Sequence, residues 1–176
     1  PNGKFRPVAI TSMLSRTWER IIALRLEVSI SDRLRGVQFA YRRNRSASML
    51  IRSLRTHLMR ATAVREKLLS SDSQSRPTVA HKVLLLCLDA SSAFNATPID
   101  VVVRELAQLD FPETRAIYSW LMNRRQRIRK HDGQCTDWLP TTSGVPQGSV
   151  LGPILWLVFL DAKLEEFLER ERPLGG

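Results

Sequence analysis

Between residues 14 and 26, apolar side chains recur every three or four positions: Leu14, Trp18, Ile21, Ile22 and Leu26. That spacing predicts an amphipathic helix. Thr11 or Ser12 is placed to cap its start, and Arg16, Glu19, Arg20 and Glu27 fall on its polar face. A second helical pattern begins near Ser46. It puts Ala47, Leu50, Ile51, Leu54, Leu58 and Ala61 on one side and Arg52, Arg55 and Arg60 on the other. The period then changes. Residues 83–88 are continuously apolar, which predicts a strand buried on both faces. Thr97, Pro98 and Asp100 signal a helix start, and Ile99, Val102, Leu106 and Leu109 make its buried stripe. Pro112 opens a shorter helix through Ile117, Trp120 and Leu121. Residues 127–130 and 134–139 flank a His131-Asp132-Gly133 turn, the pattern of a hairpin. After a loop at 141–148, a last helix runs from about Ser149 into a Glu-rich stretch ending near Arg172. Residues 1–10, broken by Gly and Pro, read as an extended or hairpin arm, and the polar, Ser-rich residues 70–78 as a loop. Helices mixed with a strand and a hairpin predict an α+β fold rather than a doubly wound sheet.

Composition narrows the class. The 176 residues are 43% hydrophobic and 25% charged, the proportions of a folded domain with a real core. The net charge of +10 is unevenly placed. Residues 1–60 hold 13 Lys and Arg against 3 Asp and Glu, while residues 61–176 hold 14 of each. A basic first third suits a polyanionic partner and equally a soluble basic surface. Cys87 and Cys135 lie far apart, outside any CxxC or His-paired spacing, so a reduced intracellular pair is expected. His57, His81 and His131 are scattered singly, which speaks against a zinc cluster. The apolar run 150–160 is shorter than the roughly 20 residues a bilayer needs, and the polar opening residues read as no signal peptide.

Two motifs carry candidate chemistry. Asp89 follows the apolar run in Leu-Asp-Ala-Ser-Ser-Ala-Phe-Asn, residues 88–95. A carboxylate at the end of a buried strand is held rigidly and suits a hard divalent ion; an acid capping the next turn would account for it as well. Residues 144–149, Gly-Val-Pro-Gln-Gly-Ser, set an unusual backbone path from which Ser149 can cap a helix whose Gly152 and Pro153 leave the first turn open. Such a loop can bring backbone and an amide side chain close to a nucleotide, and it can equally be a rigid turn into a core helix.

Taken in order, KFRPVAITS, QFAYRRNRS, LDASSAFNA and SGVPQGSVLGP resemble the motif series of reverse transcriptases, with the flavour of non-LTR retrotransposons and, next to them, group II intron enzymes. The four motifs span Lys4 to Pro153. The resemblance implies a right-hand polymerase, with residues 1–80 as the fingers and 81–176 as part of the palm. It implies RNA-directed DNA polymerisation with two Mg²⁺ ions, an RNA template, a DNA primer and deoxynucleoside triphosphates, in an intracellular, nuclear setting and with no membrane. Residue by residue, Asp89 matches the first metal-binding catalytic aspartate. Lys4, Arg6, Ala90, Phe94 and Gln147 match positions around the incoming nucleotide, Phe94 being the one that blocks a ribose 2′-hydroxyl. Arg42, Arg45, Gly148, Ser149, Gly152 and Pro153 match positions along template and primer.

The chain departs from the family pattern in three places. Asn95 stands where an aspartate is common, and Ala40 where a glycine is frequent. The aromatic-Ala-Asp-Asp motif that supplies the other carboxylate, expected after the helix following Gly148, is not among these residues, nor is a thumb. The 1–176 chain on its own is therefore expected to be inactive, with the remainder of the polymerase downstream as its partner. The rival reading is a degenerate element remnant or a nucleic-acid-binding module without catalysis. An RNA-templated RNA polymerase is disfavoured by Phe94, since such an enzyme must admit the 2′-hydroxyl.

Overall fold

The structure, a computed structural model, describes residues 8–34, 36–70 (backbone alone from 63) and 85–170. Within these the order is α1 (Met13–Ile30), α2 (Ala47–Ser70), α3 (Ile99–Gln108), α4 (Thr114–Met122), β1 (Arg124–Gln126), β2 (Leu139–Thr141) and α5 (Gly152–Arg170). Helices with a small antiparallel two-stranded sheet make a mixed fold consistent with the α+β expectation. The chain forms two compact units: Pro1–Arg35 with Ser91–Gly176, and Gly36–Ala90. The boundary expected at 80/81 falls outside the described residues.

In the first unit, α5 packs on α3 and α1, and α3 on α4. Their apolar stripes meet in one core: Ile22, Leu26 and Ile30 of α1, Val102 and Leu106 of α3, Ile117 and Leu121 of α4, and Leu155, Leu157 and Val158 of α5. Trp18 and Trp120 extend it, their ring centres 6.0 Å apart. The α1 start is as expected, the Ser15 amide donating to the Ser12 hydroxyl at 3.2 Å. The buried face of α1 is a correction. It consists of Glu19, Ile22, Leu26 and Ile30, so the helix is rotated from the expected face, leaving Leu14 and Ile21 in solvent and taking Glu19 inside. The reason is a polar demand at the start of α5, described below.

Helix α3 carries the expected stripe, but the Thr97 hydroxyl turns back to the Ala93 carbonyl at 2.8 Å and Pro98 takes the capping position without a side-chain bond. Helix α4 starts at Thr114, two residues beyond Pro112. The hairpin turn lies where expected, closed by the Gly133 amide on the Lys130 carbonyl at 3.1 Å. Its pairing begins earlier than the sequence suggests, at Arg124 opposite Thr141.

One expectation fails in the second unit. Residues 85–88 form no strand; Leu85, Leu86 and Leu88 are exposed, and residues 83–84 lie outside the described set. A strand needs a partner for its backbone donors and acceptors, and no described residue pairs with this run. Helix α2 begins as expected, with the Ser46 hydroxyl accepting from the Met49 amide at 3.3 Å, and on its apolar side Leu50, Ile51 and Leu54 are exposed.

Candidate nucleotide site and its supports

The site is assembled where two loops of the first unit meet. Residues 91–96 turn tightly after Ala90, with the Ala96 amide on the Ser92 carbonyl at 2.9 Å. Residues 144–149 run alongside, and the Val145 amide donates to the Phe94 carbonyl at 2.8 Å. At Gly144 φ is +72°, and a Cβ there would lie 2.6 to 2.8 Å from three backbone atoms of Asn95. Only glycine fits both the backbone angle and the approach. The contact uses Asn95 backbone alone, so the residue type at 95 does not alter it.

The next residues are pinned from the other side. The Ala9 amide donates to the Gln147 carbonyl at 2.7 Å. The Ser149 hydroxyl donates to the Pro146 carbonyl at 2.9 Å and accepts from the Gly152 amide at 2.8 Å, so Ser149 caps α5 as its position in the sequence suggests. Gly152 is buried, and the place a Cβ would take is 3.7 Å from the Phe94 ring. Phe94 also faces Trp156, ring centres 6.3 Å apart, and Trp156 faces Phe159 at 5.3 Å. Pro153 lies in the first turn of α5. The fold therefore brings together Phe94, Gln147, Gly148, Ser149, Gly152 and Pro153. Gln147 is half-buried and Gly148 exposed.

Two supports of this loop are not legible as such in the sequence. Glu19 is fully buried. Its Oε2 accepts from the Val150 amide at 2.7 Å and the Leu151 amide at 3.4 Å, and its Oε1 accepts from the Ser15 hydroxyl at 2.8 Å. Amides ahead of a helix have no intrahelical acceptor, and a carboxyl here also faces the positive end of the α5 dipole. The sequence does hold a clue: an acid between Trp18 and Ile22, three residues from a core position. The second support is Arg124. Its Nε donates to the Leu121 carbonyl at 2.9 Å, and its Nη2 to the Ser143 and Gly144 carbonyls at 3.1 and 2.5 Å. Burial holds its pKa below the usual arginine value.

The other sequence candidates lie elsewhere. Lys4 and Arg6 fall outside the described residues. Asp89 and Ala90 belong to the second unit, exposed in a segment without regular structure, so no buried strand holds Asp89 as the sequence suggested. Arg42 and Arg45 are in the same unit. The Arg45 guanidinium donates to the Gly36 carbonyl at 2.7 Å and lies 5.1 Å over the Phe39 ring, bracing the loop before α2. Among the described residues, no group of three or more His, Cys, Asp or Glu side chains could share a metal ion. Asp89 offers one carboxylate, which does not make up a two-ion site. Cys87 and Cys135 are both free thiols.

The sequence that carries this loop matches a known family along almost the whole chain. The family model described as "Reverse transcriptase (RNA-dependent DNA polymerase)" matches residues 1–173. The chain belongs to that family. Among its relatives is a probable RNA-directed DNA polymerase from transposon BS of Drosophila melanogaster, 30% identical over 158 residues, covering 88% of this chain and 16% of that protein. A probable RNA-directed DNA polymerase from the transposon X-element of the same fly is 28% identical over 162 residues, 89% of this chain and 16% of the relative. A retrovirus-related Pol polyprotein from type-1 retrotransposable element R2 of Popillia japonica is 28% identical over 164 residues, 92% of this chain and 21% of the relative. The chain thus spans between a sixth and about a fifth of the length of these three relatives. These are non-LTR retrotransposon proteins, the type that the motif series resembles.

Proposed function

We propose that these residues form the fingers and part of the palm of a retroelement polymerase that copies RNA into DNA. The reaction is nucleotidyl transfer. The primer 3′-oxygen bonds to the α-phosphorus of a deoxynucleoside triphosphate, the bond to the bridging oxygen breaks, pyrophosphate leaves, and the hydroxyl proton passes to solvent. The observation that carries this reading is the locked pair of loops, 91–96 against 144–149, with Phe94 against the start of α5 and Gln147 in the loop that leads into it.

The roles are those the family resemblance implies, and the chemistry of each side chain suits them. The Gln147 amide, half-buried beside fixed backbone, is available to hydrogen-bond a nucleotide. The Phe94 ring offers no hydrogen bond to a sugar and can discriminate by shape alone. Asp89 supplies one carboxylate to a divalent ion; since the described residues do not complete a two-ion site, no step is assigned to the metal. Gly148 and Pro153 contact template and primer, while Ser149 and Gly152 are buried and hold the start of α5. In the second unit Arg42 and Arg45 contact template phosphate, Arg45 also bracing its own loop. Residues 1–80 correspond to the fingers and 81–176 to part of the palm.

Primer extension by the full-length protein that carries these residues tests the reading. An RNA template with an annealed DNA primer should be copied with deoxynucleotides. Asp89→Asn should cut the rate at least about a hundredfold, the scale of losing several kcal/mol of charge stabilisation, while template affinity is kept. Binding without extension by the parent protein, or full activity in Asp89→Asn, would favour a non-catalytic nucleic-acid-binding module instead.

A further inference from the structure

Residues 124–130 hold five Lys and Arg and no Asp or Glu, a local cluster within residues 61–176, whose charge balances only in sum. Arg124 spends its guanidinium on the carbonyls of Leu121, Ser143 and Gly144. The other four differ. Arg125, Arg127, Arg129 and Lys130 are exposed, and none is in an ion pair with a described residue. Solvation alone explains a basic surface, but this one also carries apolar side chains. Trp138 is 53% exposed, Leu139 58% and Ile128 69%.

The hairpin's geometry explains how the tryptophan is presented. Gln126 pairs with Leu139, and the next bridge joins Arg129 to Cys135. Two residues, 127 and 128, therefore face three, 136–138. The extra residue makes a β-bulge, a device that bends a strand and re-aims a side chain. The bulge is fixed internally: the Ile128 amide donates to the Thr136 hydroxyl at 2.9 Å, and the Thr136 amide to the Ile128 carbonyl at 3.0 Å. Beside it the Arg127 guanidinium lies 4.7 Å over the Trp138 ring. A cation on one face holds the indole in place, and the exposure leaves ring surface for a second planar group.

We propose that the 124–141 hairpin is a docking arm for single-stranded nucleic acid. Trp138 stacks an unpaired base, and Arg125, Arg127, Arg129 and Lys130 contact the adjoining phosphates. Flat aromatic platforms set among cations are how single strands are gripped without sequence preference. A duplex keeps its bases stacked on each other and cannot use the indole. Arg124 ties the hairpin to the 143–144 carbonyls and is left unchanged; gripping a strand does not depend on catalysis, so the test needs no polymerase activity.

The experiment uses the full chain and a fluorescently labelled 20-nucleotide oligouridylate, with anisotropy read over a series of salt concentrations. Arg125→Gln with Arg129→Gln should flatten the log–log salt slope by about 1.4, roughly 0.7 for each phosphate of a single strand that is no longer neutralised. Trp138→Ala should weaken binding at least about fivefold, the low end of base–aromatic stacking, and Trp138→Phe should restore most of it. Binding of a blunt RNA duplex should change less than twofold in the Trp138 variants. All these side chains are exposed, so melting temperatures should stay at the parent value, which separates a weakened grip on the strand from a damaged fold. An unchanged slope together with unchanged affinity in Trp138→Ala overturns the proposal. So does equal weakening on duplex and single strand, or binding to phosphatidylserine vesicles through the same residues with none to the oligonucleotide.

Discussion

Replacing Glu19 by alanine removes the acceptor for two backbone amides at the start of α5, and the cost can be built from the geometry. The amides of Val150 and Leu151 donate to one carboxyl oxygen at 2.7 and 3.4 Å, and the Ser15 hydroxyl to the other at 2.8 Å. The group is fully buried, so water does not replace it without rearrangement. Each buried donor left unpaired costs about 1–3 kcal/mol. Allowing for the weakness of the 3.4 Å contact and adding the vacated volume gives about 3–5 kcal/mol for Glu19→Ala. For a domain of this size, with a shift of about 2–4 °C per kcal/mol, the midpoint falls by about 6–20 °C. Two further variants separate acceptor from volume. Glu19→Gln keeps an oxygen for the amides and can donate to Ser15, so about 1 kcal/mol is expected. Glu19→Leu keeps the volume, accepts nothing, and should resemble alanine. Thermal unfolding followed by circular dichroism reads all three. If alanine melts within about 1 °C of the parent, or leucine proves as stable as glutamate, the carboxyl is not what holds the loop.

The loop contact gives a second expectation. Gly144→Ala combines a disfavoured positive φ with a 2.6 Å approach to the Asn95 carbonyl, and should cost about 2–4 kcal/mol in urea unfolding; a change under about 0.5 kcal/mol would mean the two loops are not locked. In a full-length protein that extends primers as proposed, Phe94→Val should raise the ratio of ribo- to deoxynucleotide incorporation. Both substrates falling together, with a destabilisation of about 1–3 kcal/mol, would place the ring in the core instead.

The elements most legible in the sequence are those whose stabilising partners lie within a few residues. The apolar spacing in α3 and α4, the Ser12 cap, the turn at Gly133 and the Ser149 cap all depend on near neighbours, and each stands close to its expected position. The run at 85–88 fails as a strand because a strand is defined by what pairs with it, and an apolar string carries no record of its partner. Charge is the ordinary mark of exposure, and it puts Glu19 on the polar face. What overrides it is a pair of unsatisfied amides at Val150 and Leu151, remote in sequence. Arg124 likewise looks like one more surface cation, although three carbonyls from α4 and the 143–144 loop account for its guanidinium. At the site, family resemblance singles out Phe94 and Gln147. Spacing alone does not bring their two loops together; the bond between the Val145 amide and the Phe94 carbonyl does.

The reach of Glu19 has a consequence for the order of events during synthesis. The carboxyl and the Val150 amide are 131 residues apart, so on a ribosome adding about 5–20 residues per second the acceptor waits between about 7 and 26 s for its donor. Helix α1 can wind in that interval, and its core partners in α3 and α4 emerge, while Glu19 still lacks its amide donors. The 144–149 loop has no such waiting period, because by the time it emerges the turn at Phe94 and the carboxyl at Glu19 already exist to receive it. Its conformation is set by templates made earlier in the same chain, and the start of α5 is thus among the last parts of the first unit to settle.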